Sequence, residues 1–146
     1  MANIEVFQAT EHDIEFVLEA IINSDKSGSN YNSYCKIFDL TEDGLKNILI
    51  KILNESIPNS ELNLSSFLIA KQNNTPMCTL SMWVEGVGFA SNSQIKSSAL
   101  SYFIGKEKWL EAQDKLRIVS EIELEREPGS VQIESLYVRN EFRGQR

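Results

Sequence analysis

The sequence has few of the residues that mark disulfide, metal or histidine chemistry. Its two cysteines, Cys35 and Cys78, are not in a CxxC or other metal-ligand spacing, so two ordinary reduced thiols are expected and no metal site. Its one histidine, His12, falls in the first turn of a predicted helix. An exposed position is expected for it rather than a catalytic one.

Long apolar runs and a secretion signal are also lacking. No run approaches the roughly 20 apolar residues that a helix needs to cross a bilayer. The first residues, Met-Ala-Asn-Ile-Glu-Val, have neither the basic start nor the apolar core of a signal peptide. The sequence therefore predicts a cytoplasmic protein without a membrane partner.

Positive charge is scarce relative to negative charge. Lysine and arginine number 14 against 21 aspartates and glutamates, for a net charge of −7. Such a balance argues against a nucleic-acid partner, which needs a phosphate-neutralising surface. It favours cationic or amine ligands through long-range attraction, although acidity that only keeps the protein in solution explains it equally well. The 146 residues, 42% of them apolar, predict one domain over residues 1–146.

The first half of the chain predicts a strand, two helices and a hairpin. Alternating residues over 4–9 favour a strand, and Thr10 with Asp13 is typical of a capping box. The next apolar residues share one helix face: Ile14, Val17, Leu18 and Ile21. Thr41 is expected to cap a second helix with the stripe Leu45, Ile48, Leu49, Ile52 and Leu53. Residues 66–71 and 77–84, joined by a polar turn, predict a hairpin.

The region between the hairpin and the last strand is less regular. The pair Gly86 and Gly88 suggests a turn rather than a dinucleotide loop, because the third glycine position is Ser91. Residues 93–115 predict one or two helices interrupted at Gly105. Residues 116–125 alternate between apolar side chains and glutamates, which predicts a strand, with a helix as the alternative.

The last stretch, residues 131–146, carries the clearest functional signal. Residues 131–138 predict a strand, which the turn at 127–130 is expected to pair with residues 116–125 in antiparallel fashion. A polar turn over 139–141 and the basic tetrapeptide Arg-Gly-Gln-Arg follow. A buried strand that runs into a loop rich in backbone N–H groups is suited to binding an anion. A sheet strand with a basic solvated tail is the alternative.

This stretch resembles the central motif of the GNAT superfamily of N-acetyltransferases. In that motif a fourth strand ends in hydrophobic-x-Val, followed by an acidic and aromatic turn and Arg/Gln-x-x-Gly-x-Gly/Ala at the mouth of a helix. Leu136-Tyr-Val138 matches the strand end, Asn140-Glu-Phe142 the turn and Arg143-Gly-Gln145 the start of the loop. Arg146 stands where the family usually has its first required glycine. The order of predicted elements also resembles the N-terminal half of the family's domain.

The resemblance implies an α/β (α+β) fold with a mixed, mainly antiparallel sheet flanked by helices. Within it, the helical segment around 93–115 is expected to be an insertion that covers the substrate side. The C-terminal half of the fold is expected to lie beyond Arg146.

The resemblance also implies an N-acetyltransferase that moves an acetyl group from acetyl-CoA to a primary amine. The acceptor is expected to be a small molecule or a protein amine. In the family, the edge of the fourth strand pairs with the pantetheine arm of acetyl-CoA, and a backbone N–H of that strand polarises the thioester carbonyl. The loop after the strand binds the pyrophosphate. The residues implied are Leu136, Tyr137 and Val138 for the arm, and Arg143, Gly144, Gln145 and Arg146 for the pyrophosphate.

Glu134 is the residue that the resemblance favours as general base, because strand-borne acids near the fourth strand serve this role in many relatives. Glu121 and Glu123 are rivals, and a solvated acidic face is the alternative for all three. The family's usual general acid, a tyrosine further downstream, has no counterpart. Tyr31 and Tyr34 are candidates for acceptor contact, with aromatic packing beneath a loop as the alternative.

The end of the sequence at Arg146 sets two further expectations. An incomplete pyrophosphate site is expected to bind acetyl-CoA weakly or not at all, which would make this chain a weakly active or inactive portion of an enzyme. The exposed edge of the fourth strand is expected to favour a homo-oligomer. Two alternatives stay open: a non-catalytic domain of the same ancestry that binds a partner or a small ligand, and an unrelated α+β binding module.

Overall fold

A four-stranded antiparallel sheet organises residues 3–144, which are the residues that the computed structural model describes. Its order is β1-β2-β3-β4, with β1 Ile4–Gln8, β2 Phe67–Gln72, β3 Thr75–Val84 and β4 Val131–Val138. The helices are α1 Ile14–Lys26, α2 Ser33–Phe38, α3 Glu42–Asn54, α4 Asn92–Ile104, α5 Lys106–Glu111 and α6 Gln113–Ile122. The predicted α+β class, with a mainly antiparallel sheet and helices, is confirmed.

Local sequence signals set the ends of several elements as predicted. The Thr10 N–H donates to Asp13 Oδ2 at 3.0 Å, and this capping box opens a short 3-10 turn that leads into α1. Thr41 Oγ1 accepts a hydrogen bond from the Gly44 N–H at 3.1 Å and caps α3. Gly105, with a φ of +94°, separates α4 from α5. The predicted hairpin is the antiparallel pair β2 and β3.

The core lies between one face of the sheet and helices α1 and α3. The predicted stripe of α3 is buried as expected, with Leu45, Leu49 and Ile52 fully inaccessible to solvent. Val17 of α1 and Ile69 of β2 are also fully buried in the same cluster. Each such side chain stabilises the fold by roughly 1.5–3 kcal/mol relative to an exposed position.

The prediction of a strand over 116–125 is wrong. The chain forms helix α6 over Gln113–Ile122 and continues without regular structure to the turn at 127–130. Leucine, glutamate, lysine and arginine are good helix formers, and a helix satisfies its backbone hydrogen bonds without a partner strand. The helical segment predicted over 93–115 therefore extends to Ile122.

The predicted turn at 127–130 forms, but it does not pair residues 116–125 with β4. Instead it extends the ladder between β3 and β4. The Gly129 N–H donates to the Glu85 carbonyl at 2.7 Å, and the Glu85 N–H donates to the Ser130 carbonyl at 2.9 Å. The turn therefore lies against the end of β3, next to Gly86.

Replacing Gly86 with alanine should destabilise the fold more than the same change at Gly28. Both glycines have left-handed backbones, with φ of +71° and +83°, so the conformational cost of about 1–2 kcal/mol is common to the two. A Cβ at Gly86 would lie 3.0 Å from Pro128 Cβ, whereas nothing lies within 4 Å at Gly28. We expect urea unfolding to show that G86A lowers the free energy of unfolding by roughly 1 kcal/mol more than G28A does. Equal losses would contradict the contact with Pro128.

The second face of the sheet is apolar and exposed. Val6 in β1, Met82 in β3 and both Val131 and Ile133 in β4 share this face, and Ile133 is 57% exposed. Within residues 3–144, β4 pairs with β3 alone, so its other edge is free. An apolar face beside a free edge strand favours contact between chains.

Self-association through this face and edge is expected at micromolar concentration. Light scattering after size exclusion should show a molar mass that rises with protein concentration. The I133K variant should have a molar mass closer to that of the monomer, because a charge on an edge strand opposes pairing with another chain. L110K, which alters an exposed leucine on α5, is the matched control. A single monomer mass over the whole concentration range would count against the prediction.

Within residues 3–144, no helix is both long enough and apolar enough to cross a membrane. The same part of the chain holds no group of three or more His, Cys, Asp or Glu side chains placed to bind a metal ion. Cys35 and Cys78 both carry free thiols.

Candidate functional site

A β-bulge at Ser135 interrupts the pairing of β4 with β3. Two β4 residues, Ser135 and Leu136, lie opposite a single residue of β3, Leu80, and Ser135 has a φ of +51°. A bulge inserts one residue and redirects the side chains that follow it. As a result Glu134 and Tyr137, although three residues apart, face the same side of the sheet.

Glu134 lies where two clefts meet. The large cleft, of about 880 Å³, is bounded by α2, α4, α5 and α6. The small cleft, of about 290 Å³, runs along the bulge between β4 and α1. Four side chains line both of them: Asp25, Tyr34, Glu61 and Glu134. These four side chains therefore lie at the boundary between the two clefts.

Arg126 holds the Glu134 carboxylate in place. Its Nη2 lies 2.9 Å from Glu134 Oε1, and its Nη1 lies 3.9 Å from Glu61 Oε2. The guanidinium also lies over the ring of Trp83, 5.3 Å from the ring centroid. Arg126 follows α6 in the chain, so this contact depends on the path of residues 123–130 and not on any local sequence pattern.

A buried polar cluster supports the wall of the large cleft. Glu61 is 7% exposed, and its carboxylate accepts from Lys96 Nζ at 2.9 Å and from Asn92 Nδ2 at 2.8 Å. The Asn92 N–H in turn donates to Glu85 Oε1 at 3.0 Å, and Trp83 Nε1 donates to the other oxygen of Glu85 at 3.2 Å. Buried charges require this kind of pairing, because an uncompensated one is costly.

The sequence contained no signal for this cluster. Glu61 lies in a polar loop and Lys96 in a predicted helix, 35 positions apart, and neither belongs to a motif. Only the packing of the 55–63 loop against the start of α4 brings them together. The ion pair between Glu61 and Lys96 therefore depends on tertiary structure.

Tyr34 lines both clefts. Burial raises the pKa of the Tyr34 phenol well above its ordinary value, and the nearby carboxylates of Glu61, Asp25 and Glu134 act in the same direction, opposed by Lys96. For Lys96, burial alone would lower the pKa, but the neighbouring oxygens of Tyr34 and Glu61 outweigh it and raise the pKa. Near neutral pH Tyr34 is therefore a hydrogen-bond donor, and Lys96 carries a positive charge.

β4 is anchored to α1 next to the bulge. Tyr137 Oη donates to Glu19 Oε1 at 2.9 Å, and Arg139 Nη2 lies 2.8 Å from Glu19 Oε2. The Arg139 guanidinium also lies over the Phe16 ring, 4.6 Å from its centroid. Partial burial alone would raise the pKa of the Glu19 carboxyl, but the hydrogen bonds from Arg139 and Tyr137 outweigh it and the pKa is lowered.

Replacing Glu19 with glutamine should lower stability at neutral pH but not at low pH. Because the folded pKa of Glu19 lies below the ordinary 4.5, the group contributes stability above about pH 4.5 and loses it as pH falls through the folded pKa. The carboxylate is one-third exposed, so we expect about 1 kcal/mol at pH 7. Urea unfolding at pH 7 and pH 3 should show the gap between wild type and E19Q closing.

E15Q, at an exposed glutamate one turn earlier on α1, is the matched control and should leave the free energy of unfolding nearly unchanged at both pH values. A gap between wild type and E19Q that stays constant from pH 7 to pH 3 would contradict the ionic role of Glu19.

The residues predicted to bind acetyl-CoA lie along β4 and the turn after it. Leu136 is exposed at the bulge, Tyr137 is buried against Phe16 of α1, and Val138 pairs with Cys78. In the turn after the strand, Arg143 Nε donates to the Val138 carbonyl at 2.8 Å, and Gly144 has a φ of +69°. Gln145 and Arg146 lie outside the described residues.

The other sequence candidates are dispersed. Glu123 ends α6 and lines the large cleft, whereas Glu121 is exposed on α6 and lines neither cleft. Tyr31 is exposed, with Lys36 Nζ 3.8 Å from its ring centroid, so of the two tyrosines only Tyr34 reaches the site. His12 is exposed in the first turn before α1, as expected.

No protein-family model, curated protein or solved structure matches this chain. The chemistry of the site therefore rests on its own geometry.

Proposed function

We propose that the chain is the N-terminal portion of a GNAT-like domain, an N-acetyltransferase that moves an acetyl group from acetyl-CoA to a primary amine. The observation that carries this proposal is the bulge at Ser135. It places Glu134 where the two clefts meet and lies beside a free strand edge. A two-substrate transfer needs a base and two adjoining binding clefts, and this arrangement supplies both.

On the donor side, the free edge of β4 offers backbone groups to the amides of the pantetheine arm. Leu136, Tyr137 and Val138 lie along this edge, and a backbone N–H beside the bulge would polarise the thioester carbonyl. Among the described residues nothing lies within 4 Å of a Cβ built at Gly144, so the backbone there is open to an approaching pyrophosphate. Arg143 would add charge if its guanidinium, now bonded to the Val138 carbonyl, turned outward.

On the acceptor side, Glu134 takes the proton that the ammonium must lose before its nitrogen can attack. A new C–N bond then forms as the C–S bond of the thioester breaks, and the thiolate leaves and takes up a proton. Tyr34 remains protonated and donates a hydrogen bond that orients the reacting groups. Lys96, which lines the large cleft, would stabilise negative charge there.

Calorimetric titration with acetyl-CoA tests the proposal. Micromolar binding that is weakened about tenfold or more by G144V would support a pyrophosphate site there. G28V is the matched control, because both glycines have a similar positive φ and open space at the Cβ position. Release of free thiol in the presence of amines would then establish the transfer. Binding that G144V leaves unchanged would place the cofactor elsewhere.

A non-catalytic domain of the same ancestry is the second candidate. The exposed apolar face of the sheet favours it, because such faces commonly mark surfaces for partners. The ion pair between Arg126 and Glu134 also suits a structural role for that carboxylate. Absence of acetyl-CoA binding, both in this chain and in a longer one, would favour this candidate.

A further inference from the structure

We propose that a groove between residues 123–127 and β4 binds an extended segment of a partner protein in which lysine or arginine alternates with apolar residues. The groove has a volume of about 420 Å³, and Gln132 and Glu134 supply its β4 wall. Such binding requires neither acetyl transfer nor a free position beside Glu134, so it does not depend on the proposed function.

The groove is acidic. Four carboxylates and one guanidinium line it, which leaves an excess of three negative charges: Glu123, Glu125, Glu127 and Glu134 against Arg126. Arg126 already lies 2.9 Å from Glu134. The three glutamates of the 123–127 segment are exposed, and within residues 3–144 none of them forms an ion pair. Three carboxylates on one wall are therefore available to basic side chains of a partner.

The backbone along the 123–127 wall also lacks partners. Residues 124–127 have no regular structure, and in the part of the chain that the structure describes neither Leu124 nor Glu125 forms a hydrogen bond. On the opposite wall, β4 pairs with β3 alone among the described strands. Unpaired N–H and C=O groups are what an extended peptide uses when it adds to a strand. A peptide therefore fits this groove better than a cation without peptide groups.

Apolar side chains lie next to the acidic ones. Leu124, between Glu123 and Glu125, is 90% exposed, and Ile122 at the end of α6 is 76% exposed. An extended chain directs successive side chains to opposite sides. A partner segment that alternates basic and apolar residues can therefore meet the glutamates with one set of side chains and cover Leu124 with the other.

A second copy of this chain is a poor occupant of the groove. Each copy has a net charge of −7, and like charges brought together in an interface cost free energy. The exposed apolar face of the sheet, with Val6, Met82 and Ile133, suits a second copy better. Charge complementarity therefore favours a basic partner in the groove.

Calorimetric titration with a capped hexapeptide of alternating lysine and valine tests the inference. We expect a Kd below about 1 mM. E125Q/E127Q removes two unpaired carboxylates of the groove and should weaken binding roughly threefold to tenfold. E107Q/E111Q, at two exposed glutamates of α5 that do not line the groove, changes the net charge equally and is the matched control. An equal loss in both variants would overturn the assignment to this groove.

Two further ligands, titrated into the unaltered chain, separate a peptide from a simple cation. Spermidine has the same three positive charges as the hexapeptide but no peptide groups, and N-methylation at the valines removes three backbone donors. Both ligands should bind at least about fivefold more weakly than the hexapeptide, since each lost hydrogen bond contributes to affinity. Equal binding of spermidine, or no effect of N-methylation, would overturn backbone recognition. No binding of the hexapeptide up to about 1 mM would overturn the docking surface itself.

Discussion

Replacing Glu134 with glutamine is expected to lower kcat for acetyl transfer by about 10²- to 10⁴-fold, the usual contribution of a general base. Glutamine keeps the shape of the side chain and an oxygen that can accept from Arg126, so the wall of the cleft should persist. It cannot take the proton from the ammonium. Acetyl-CoA binding by E134Q should remain within about threefold of wild type, because the proposal assigns Glu134 to the acceptor and not to acetyl-CoA.

The pH dependence of the remaining rate separates a base from a merely structural carboxylate. If Glu134 takes the proton, the rate of E134Q should rise with pH, because more of the amine is then in its neutral form. For an acceptor with a lower amine pKa, the decrease in rate from wild type to E134Q should be smaller. E121Q is the matched control, because Glu121 was a sequence candidate that lines neither cleft. Full activity of E134Q, or an equal loss in E121Q, would contradict the assignment.

Replacing Glu61 with leucine is expected to cost about 3–5 kcal/mol of unfolding free energy, since it leaves the Lys96 ammonium without its partner in a largely buried position. The Asn92 amide loses its acceptor at the same time. For a chain of 146 residues, the loss corresponds to a decrease of roughly 10–16 °C in Tm. Urea and thermal unfolding measure both quantities.

The double variant E61L/K96M should recover most of this loss, because it replaces both charges by apolar groups of similar volume. Its coupling free energy in a double-mutant cycle should reach at least about 1 kcal/mol. K46M is the matched control: it breaks an exposed contact with Glu42 at 3.8 Å and should cost less than about 0.5 kcal/mol. If E61L lowers the free energy of unfolding by less than about 1 kcal/mol, the burial of the Lys96 ammonium does not depend on its ion pair with Glu61.

Helix α6 shows why a period in the sequence can mislead. Ile118, Ile122 and Leu124 alternate with glutamates and predicted a strand, yet all three side chains are more than half exposed and none packs in the core. The apolar residues that do contact something, Leu116 and Val119, have helical spacing and line the large cleft. Which of two overlapping patterns is used depends on the neighbours, because a strand requires a partner and a helix does not.

Three sequence candidates, Tyr34, Glu123 and Glu134, line the large cleft, but the groups that hold Glu134 there were not predicted. Glu134 was expected beside the fourth strand, and it lies at the junction of the two clefts. Its partner Arg126 and the nearby pair Glu61 and Lys96 could not be predicted, since they come from separate segments. The bulge at Ser135 carried no glycine or proline that would have indicated it.

The sequence by itself determined the elements whose causes are local. The capping residues Thr10 and Thr41, the apolar stripe of α3, the hairpin of β2 and β3, and the break at Gly105 all depend on residues a few positions apart. Tertiary structure decided the rest: that β4 pairs with β3, that residues 113–122 form a helix, and that Glu61, Lys96, Arg126 and Glu134 surround one cleft. The physical reason is that strand pairing and charge burial are settled between distant segments, where the free energy depends on packing that no local pattern contains.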